Sequence, residues 1–237
     1  MLLNIYLIPS LNLNLFFSRC NLDVSIIITN YNKGALLERA VRSATGQILL
    51  RKSIEVIIVD DASTDNSLDK FLDLYDQVKI IRHDQNCGVA AASNTGIKAA
   101  KGKYFMRLDA DDYLSQMSVQ YMSTILDNND DISFVYADHL RITSETKKPE
   151  LIKLDSVKKL LMHGAGVLFR KDIVDQNGGY DEILRNCEDY DLIARLLKNG
   201  SKGHYLPIPL YRYFVQRDGL TSNEDRRRII VKLEEKY

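Results

Sequence analysis

Three aspartates lie within four residues in the segment LDADD: Asp109, Asp111 and Asp112. Carboxylates this close repel one another unless a cation or several hydrogen-bond donors compensate their charge. Mg²⁺ and Mn²⁺ are the simplest compensators, because they bind one or two carboxylates and fill their remaining positions with water and phosphate oxygens. The segment therefore predicts a divalent metal cofactor, Mn²⁺ or Mg²⁺, that holds a diphosphate and stabilises its charge as it leaves.

Two further acidic pairs have residue types that can take part in a reaction. Asp60 and Asp61 follow the apolar run IIV, and Glu188 and Asp189 precede the pattern YDLIARLLK. Acids in these places also cap helices, start turns and complement the helix dipole, so each pair has an ordinary structural explanation. The residues alone leave both interpretations open.

The elements that must position these acids alternate between strand and helix in the first half of the chain. The run VSIIIT predicts a strand buried on both faces, ALLERAVRSATGQ has helical spacing, and EVIIVDD predicts a second buried strand. The pattern continues with a helix from about Leu68 to Tyr75, a strand VKIIRH, a helix from Ala90 to Ala100 and a strand KYFMRLD. We expect an α/β fold with a doubly wound, mostly parallel sheet flanked by helices.

Polar residues fall at the carboxyl ends of the predicted strands. Thr29, Asn30 and Tyr31 end the first strand, Asp61 ends the second, and Asp109 ends the fourth. In open parallel sheets the ligand crevice lies beyond these strand ends. The pattern predicts one ligand site built from three segments.

The pattern loosens after Ser115 and predicts a smaller second half. This half contains a helix to Leu126, a strand SFVYADHLRI, the glycine-rich stretch HGAGVLFRKDIVDQNGGYDE, a helix EDYDLIARLLKNG and a half-buried strand YLPIPLYRYFV. We expect a single domain over residues 23–237, with halves at 23–114 and 115–237. Residues 1–22 are apolar but interrupted by Pro9 and asparagines, which predicts an N-terminal extension rather than a signal peptide or membrane span.

Composition and missing motifs limit the partners. Lys plus Arg and Asp plus Glu each number 32, so the net charge is zero and no nucleic-acid partner is expected. The chain has no GxxxxGK[ST] and no GxGxxG, which argues against kinases, P-loop enzymes and ordinary dinucleotide dehydrogenases. Its three cysteines are far apart and favour a cytoplasmic location.

The residues from Asp23 to Tyr213 resemble the inverting family 2 glycosyltransferases, which have the GT-A fold. The resemblance runs in order through VSIIITNYNKGALLERAVRSATGQ, EVIIVDDASTDNS, NCGVAAASNTGIKAAKGKYFMRLDADD, GAGVLFRKDIVDQNGGYDE and CEDYDLIARLLKNG. It implies metal-dependent transfer of a sugar, with inversion, from a nucleotide-diphosphate donor such as a UDP-sugar to a hydroxyl group. The implied acceptor is a saccharide or lipid-linked saccharide, in the synthesis of a cell-surface polysaccharide or glycan.

The resemblance also implies a role for each matching position. In the first half, 23–114, Tyr31 would stack on the donor base and Asp61 would hydrogen-bond it, with Thr29 and Asn30 as the pocket wall. The NxG turns that shape the donor pocket match Asn86 with Gly88 and Asn94 with Gly96. Ser93 departs from the arginine found in many members, which leaves the sugar and diphosphate contacts there open.

The metal and the base are implied in the same way. Asp109-Ala110-Asp111 matches the DxD motif, with Asp109 on the donor and either Asp111 or Asp112 as the direct metal ligand. Asp189 matches the catalytic base in the acceptor-binding half, 115–237. An inverting transfer needs a base opposite the leaving group, so the base must come from a different segment than the metal acids.

Three other functions compete with this reading. A nucleotidyltransferase would carry a glycine-rich basic signature after the first strand, which NYNKGALLE lacks, and a receiver domain suggested by IIVDD would be shorter. A catalytically inactive nucleotide-sugar-binding module would share these motifs.

The tail EDRRRIIVKLEEKY fits a solvated amphipathic helix or, alternatively, a peripheral contact with the anionic inner membrane.

Overall fold

The computed structural model describes residues 22–68, 78–143, 148–215, 229–233 and 236. Nearly all of the predicted N-terminal extension, 1–22, and of the helix predicted from Leu68 to Tyr75 lies outside the described residues. The elements in chain order are β1 Val24–Asn30, α1 Gly34–Thr45, β2 Ile54–Asp60, β3 Val78–Arg82, α2 Val89–Ala99, β4 Tyr104–Asp109, β5 Tyr113–Leu114, α3 Ser118–Asn128, β6 Phe134–Thr143, β7 Glu150–Ile152, α4 Val157–Met162, β8 Leu168–Arg170, α5 Lys171–Gln176, α6 Glu188–Lys198 and β9 Gly203–Val215.

The strands described form one mixed sheet in the order β3-β2-β1-β4-β8-β6-β9-β5, with β7 on β6. The first four strands are parallel, as predicted for the first half. The second half continues the same sheet through antiparallel β8, and pairs β6 with β9 in parallel. The predicted α/β fold with helices on both faces is therefore confirmed.

The two faces follow from the alternation of side chains along the buried strands. In β1, Ile26 and Ile28 pack towards α1 and α3, whereas Ile27 packs towards α2 and α6. All three are essentially inaccessible to water, and each contributes about 1.5–3 kcal/mol relative to an exposed side chain. Burial on both faces explains why the strand sequence is continuously apolar rather than alternating.

The strand order reverses next to β1, which places a crevice at the carboxyl ends of β1, β2 and β4. The register sets Asn30 beside Asp60 and Thr29 beside Asp109. Polar residues from three segments consequently meet at one edge.

Residues 229–233 are helical and lie against the start of α6. Ile230 and Leu233 pack with Cys187, Tyr190 and Ala194. The apolar side of this part of the tail is thus turned towards the protein. Within the ranges that the structure describes, no helix is long and apolar enough to cross a bilayer.

Candidate active site

A buried arginine joins the two sides of the crevice. Arg107 lies on β4, where its side chain is only 6% exposed. Its Nη1 lies 2.6 Å from Oε1 of Glu188 and its Nη2 lies 2.6 Å from Oδ2 of Asp189. Its Nε lies 3.3 Å from Oδ1 of Asp109, and its guanidinium lies over the ring of Tyr180. One cation therefore contacts three carboxylates from two distant segments.

Asp189 lies in the first turn of α6, which starts after Cys187 in the left-handed conformation (φ 63°). Gly164, in the glycine-rich stretch before β8, makes room for it, since a Cβ on Gly164 would lie 2.7 Å from the Cβ of Asp189. Burial raises the pKa of Asp189 to about 7; Arg107 opposes this effect, and the carboxylate of Glu188 adds to it. A carboxyl group with this pKa is suited to accept a proton at neutral pH.

Asp109 ends β4 and faces the open edge. Its Oδ1 accepts a hydrogen bond from the Thr29 hydroxyl at 3.2 Å. Among the described residues, no hydrogen bond engages its Oδ2.

The two aspartates that follow have different surroundings. Asp111 is partly exposed, and its Oδ2 lies 2.8 Å from Nζ of Lys33. Asp112 is buried: its Oδ2 accepts from the Tyr211 hydroxyl at 2.6 Å and its Oδ1 from the Phe214 backbone N–H at 2.8 Å. Burial, and then the neighbouring carboxylates of Asp109 and Asp111, raise the pKa of Asp112 well above its ordinary range. Internal hydrogen bonds thus engage both carboxylate oxygens of Asp112, whereas the Asp111 carboxylate is partly exposed at the crevice.

The loop that carries Asp111 is held by Arg39 of α1. The Arg39 guanidinium lies between the rings of Tyr113 and Phe214, 4.5 Å from each centroid. Its Nη2 donates to the backbone oxygen of Asp111 at 2.5 Å. Cation–π contacts of this kind fix the loop without occupying the Asp111 carboxylate.

Asp61 organises the turn before α2. Its two carboxylate oxygens accept from the backbone N–H groups of Cys87 and Gly88 at 2.8 and 2.7 Å, and Nδ1 of His83 lies 2.7 Å from Oδ1. Gly88 has φ +92°, a conformation that side chains rarely adopt. The Asn86 side chain is exposed and its amide approaches the Asp61 backbone oxygen at 3.4 Å.

Asn30, in contrast, is an interior residue. It is 1% exposed, and its amide donates to Asp60 at 2.7 Å and to Ser63 and Ser67 at 3.1 Å. It ties the ends of β1 and β2 together beneath the crevice. The next residue, Tyr31, is 46% exposed and lies at the opening.

Asn94 and Ser93 both lie in α2. The Asn94 amide donates to the Tyr180 backbone oxygen at 2.9 Å and to Glu182 at 2.8 Å, so it links α2 to the loop before α6. Ser93 is buried and its hydroxyl donates to the Val89 backbone oxygen within the helix. Neither side chain points a free group into the crevice.

Two sets of residues have metal-binding types. Asp109 and Asp111 offer hard carboxylate oxygens at the sheet edge, and Asp111 pairs with the Lys33 ammonium. This donor set fits Mg²⁺ or Mn²⁺, which need only one or two protein carboxylates. Asp61, His83 and Cys87 also have ligand atoms within 4.8 Å of one another. Hydrogen bonds within the turn already engage all three, and Nε2 of His83 lies 2.9 Å from the Thr95 hydroxyl.

Comparison with known proteins agrees with this fold and site. A model of Glycosyl transferase family 2 matches residues 25–178. The chain belongs to this family. It is similar to the succinoglycan biosynthesis protein ExoU of Rhizobium meliloti (strain 1021), with 33% identity over 229 residues that cover 85% of this chain and 64% of that protein. The chain spans between 28% and 71% of the length of five curated relatives that it matches.

Two solved structures share the GT-A fold. The crystal structure of S. aureus TarS 1–349 in complex with UDP-GlcNAc aligns with this chain with a TM-score of 0.74 and 18% identity. The alignment covers 90% of this chain and 65% of the TarS chain. The mannosyltransferase PcManGT of Pyrobaculum calidifontis, in complex with GDP-Man and Mn²⁺, aligns with a TM-score of 0.72 and 19% identity, over 90% and 63%. Membership of glycosyltransferase family 2 and the GT-A fold, both predicted from the sequence, are thereby confirmed.

The sequence did not indicate Arg107 as a site residue. A signal was present, because Arg107 is the only charged residue in the otherwise apolar run YFMRL of a strand buried on both faces. A buried arginine needs partners that compensate its charge and accept its hydrogen bonds. Its hydrogen-bond partners Glu188 and Asp189 follow about eighty residues later in the chain, which is why the pattern of one segment could not identify them.

Proposed function

We propose that this protein transfers a sugar, with inversion at the anomeric carbon, from a nucleotide-diphosphate donor to a hydroxyl group of an acceptor. The observation that carries the proposal is the placement of Asp189, a carboxyl group with a pKa of about 7, across one guanidinium from Asp109 at the sheet edge. A base and a strand-end carboxylate that contact one guanidinium support an in-line displacement, in which the acceptor meets the base while the diphosphate is held at the sheet edge.

In the proposed step, Asp189 accepts the proton of the acceptor hydroxyl as its oxygen attacks the anomeric carbon. The bond between that carbon and the diphosphate oxygen breaks, and the nucleoside diphosphate leaves with the electron pair. A positioned base of this kind contributes about 10²–10⁴-fold to the rate. The N-terminal end of α6 and Arg107 keep the Asp189 carboxylate in place through the step.

Asp109 and Asp111 would hold the divalent ion. A bound Mn²⁺ or Mg²⁺ supplies electrostatic stabilisation of the charge that develops on the leaving diphosphate. We assign the direct contact to Asp111, because the Tyr211 hydroxyl and the Phe214 N–H already occupy both oxygens of Asp112. The ion pair between Lys33 and Asp111 would then break, and the partly exposed Lys33 ammonium would pair with the donor phosphates instead.

The donor base would lie against Tyr31 at the opening. Asp61 would accept a hydrogen bond from the base. The hydrogen bonds from the backbone N–H groups of Cys87 and Gly88 to the Asp61 carboxylate would hold the turn from Asn86 to Gly88 in place. Thr29 and Asn30 would support the pocket through Asp109 and Asp60, and Asn94 would do so through the loop at Tyr180. We favour a UDP-sugar, since TarS binds UDP-GlcNAc, with GDP-mannose as the alternative that PcManGT binds.

The acceptor is proposed to be a saccharide or lipid-linked saccharide in polysaccharide synthesis, by similarity to ExoU. A cytoplasmic location with peripheral contact at the inner membrane suits such an acceptor. The contact is proposed for the tail EDRRRIIVKLEEKY, of which residues 224–228, 234, 235 and 237 lie outside the described ranges.

Thermal unfolding tests the donor and the metal together. UDP-glucose, UDP-galactose, UDP-GlcNAc and GDP-mannose are each added with MnCl₂ or with EDTA. A ligand at 100 times its Kd stabilises by about 2.7 kcal/mol, so the correct donor raises Tm in MnCl₂ and much less in EDTA. The Asp111→Asn variant should lose the metal-dependent part. Equal stabilisation in MnCl₂ and EDTA would contradict the metal role.

A further inference from the structure

All three nitrogens and one planar face of the Arg107 guanidinium contact residues at the crevice. Nη1 pairs with Glu188, Nη2 with Asp189 and Nε with Asp109, at 2.6, 2.6 and 3.3 Å. Its planar face lies 5.5 Å from the centroid of the Tyr180 ring. A guanidinium has fixed donor directions, so its two hydrogen bonds set the directions of the Glu188 and Asp189 carboxylates, and the ion pair keeps Asp109 beside them.

The buried location of Arg107 gives it no advantage for fold stability over an apolar residue. It lies on β4, a central strand whose other residues pack into apolar layers on both faces. Burying an ion pair commonly stabilises a protein no better than well-packed apolar residues do. Without the arginine, however, three carboxylates would face one another in a buried space. The arginine is therefore explained by the acids of the crevice.

Arg170 provides a contrast within the same sheet. It is also buried, on β8, but its guanidinium donates to the backbone oxygens of Ile132, Leu126 and Asn129. The carboxylate near it, that of Asp130 at 3.9 Å, belongs to a fully exposed side chain. Those contacts stabilise a turn next to α3. Arg170 consequently stabilises the backbone of the fold, whereas Arg107 compensates and orients the carboxylates of the site.

We propose that Arg107 is the positioning residue of this site: it holds the Asp189 carboxylate in the direction of attack and ties it to Asp109 on the donor side. This inference rests on the proposed function, because it assigns Arg107 to the same reaction. Arg107 acts through Asp189 and needs no contact with the substrate.

The first test compares Arg107→Lys with the matched control Arg170→Lys. Hydrolysis of the donor that the wild type turns over fastest is measured with MnCl₂, using water as the acceptor. A lysine cannot reach three carboxylates, so kcat should fall on the order of 100-fold while the donor KM stays near its wild-type value. Arg170→Lys should lower Tm and leave kcat unchanged. Where the lysine variant of Arg107 does not fold, it is made together with Glu188→Gln, which removes one of the three carboxylates that the guanidinium compensates, and is compared with Glu188→Gln alone.

A double-mutant cycle separates positioning from a general structural effect. If Arg107 acts through Asp189, replacing Arg107 in an Asp189→Asn background should cost little further activity. Full, independent losses from the two substitutions would overturn the proposal, as would a rise in donor KM with unchanged kcat. A wild type that hydrolyses no nucleotide sugar would contradict the proposed function itself, whereas an active wild type with an equally active Arg107→Lys would contradict the role of Arg107 alone.

Discussion

Nη2 of Arg107 lies 2.6 Å from Oδ2 of Asp189, and this contact fastens the first turn of α6 to the central strand β4. Arg107 is two residues before Asp109, so the same strand carries the donor-side acid. The proposed base and the proposed diphosphate site are therefore parts of one rigid arrangement. Their relative position depends on packed secondary structure and not on a loop.

The pH dependence of turnover should report Asp189. Burial raises the pKa of Asp189 to about 7, and only the ionised form accepts a proton. We expect kcat/KM for donor hydrolysis to rise with pH through about 7 and to level off above it. The measurement is a rate profile between about pH 5.5 and 8.5, with the fold checked at each pH. A rate that is constant over this range would contradict the assignment.

The stability of Asp189→Asn should also depend on pH. The folded-state pKa of Asp189 is raised, so the stability that this group contributes is present below its unfolded pKa of about 3.9 and is lost as pH rises towards 7. The asparagine variant lacks this loss, and its unfolding free energy relative to wild type should increase by up to about 1.4 kcal/mol per pH unit in that window. Urea unfolding at several pH values measures the difference, and a pH-independent difference would exclude a raised pKa.

Neighbouring aspartates should give opposite phenotypes. Asp112→Ala leaves the Tyr211 hydroxyl and the Phe214 N–H without their buried acceptor, which should destabilise the fold by about 1–3 kcal/mol for each group. Asp111→Ala removes a partly exposed carboxylate and should keep Tm while abolishing Mn²⁺-dependent donor binding. Calorimetric titration and thermal unfolding of both variants test this contrast. Mn²⁺-dependent binding that survives in Asp111→Ala and is lost in a folded Asp112→Ala would reverse the assignment.

A methyl group at Gly164 should disturb the base. The added Cβ would lie 2.7 Å from the Cβ of Asp189, so Asp189 or α6 must shift. We expect Gly164→Ala to lower kcat by roughly 10- to 100-fold, with donor binding retained. Gly200→Ala is the control, because its Cβ meets nothing within 4 Å although its φ of +85° strains the backbone. That variant should lose stability and keep its turnover; wild-type turnover in Gly164→Ala would show that the site tolerates the shift.

The first half of the fold was predictable because its signals are local. Continuous β-branched runs such as VSIIIT occur in strands buried on both faces, and β1 and β2 are such strands. Parallel strands bring their carboxyl ends together, which explains why Thr29 and Asp109 were expected at one edge and lie side by side. The second half follows a less regular path, and its antiparallel and parallel pairings could not be read from residue patterns.

Contacts between distant segments could not be predicted. Asp112 has the same residue type as Asp111, and the partners that distinguish it, the Tyr211 hydroxyl and the Phe214 N–H, lie 99 and 102 residues further along the chain. The side chain of Asn30 likewise looks available in the sequence, whereas Ser63 and Ser67 enclose it in the structure. The divalent metal, the inversion and the individual site roles stay predictions.

Donor hydrolysis by Asp189→Asn tests the central claim most directly. The rate of nucleoside diphosphate release is measured in MnCl₂ for the wild type and the variant, and donor binding is measured on the same samples. We predict that the variant binds the donor as the wild type does and releases product about 10²–10⁴-fold more slowly. Release at the wild-type rate by a folded Asp189→Asn variant would contradict the assignment of Asp189 as the base.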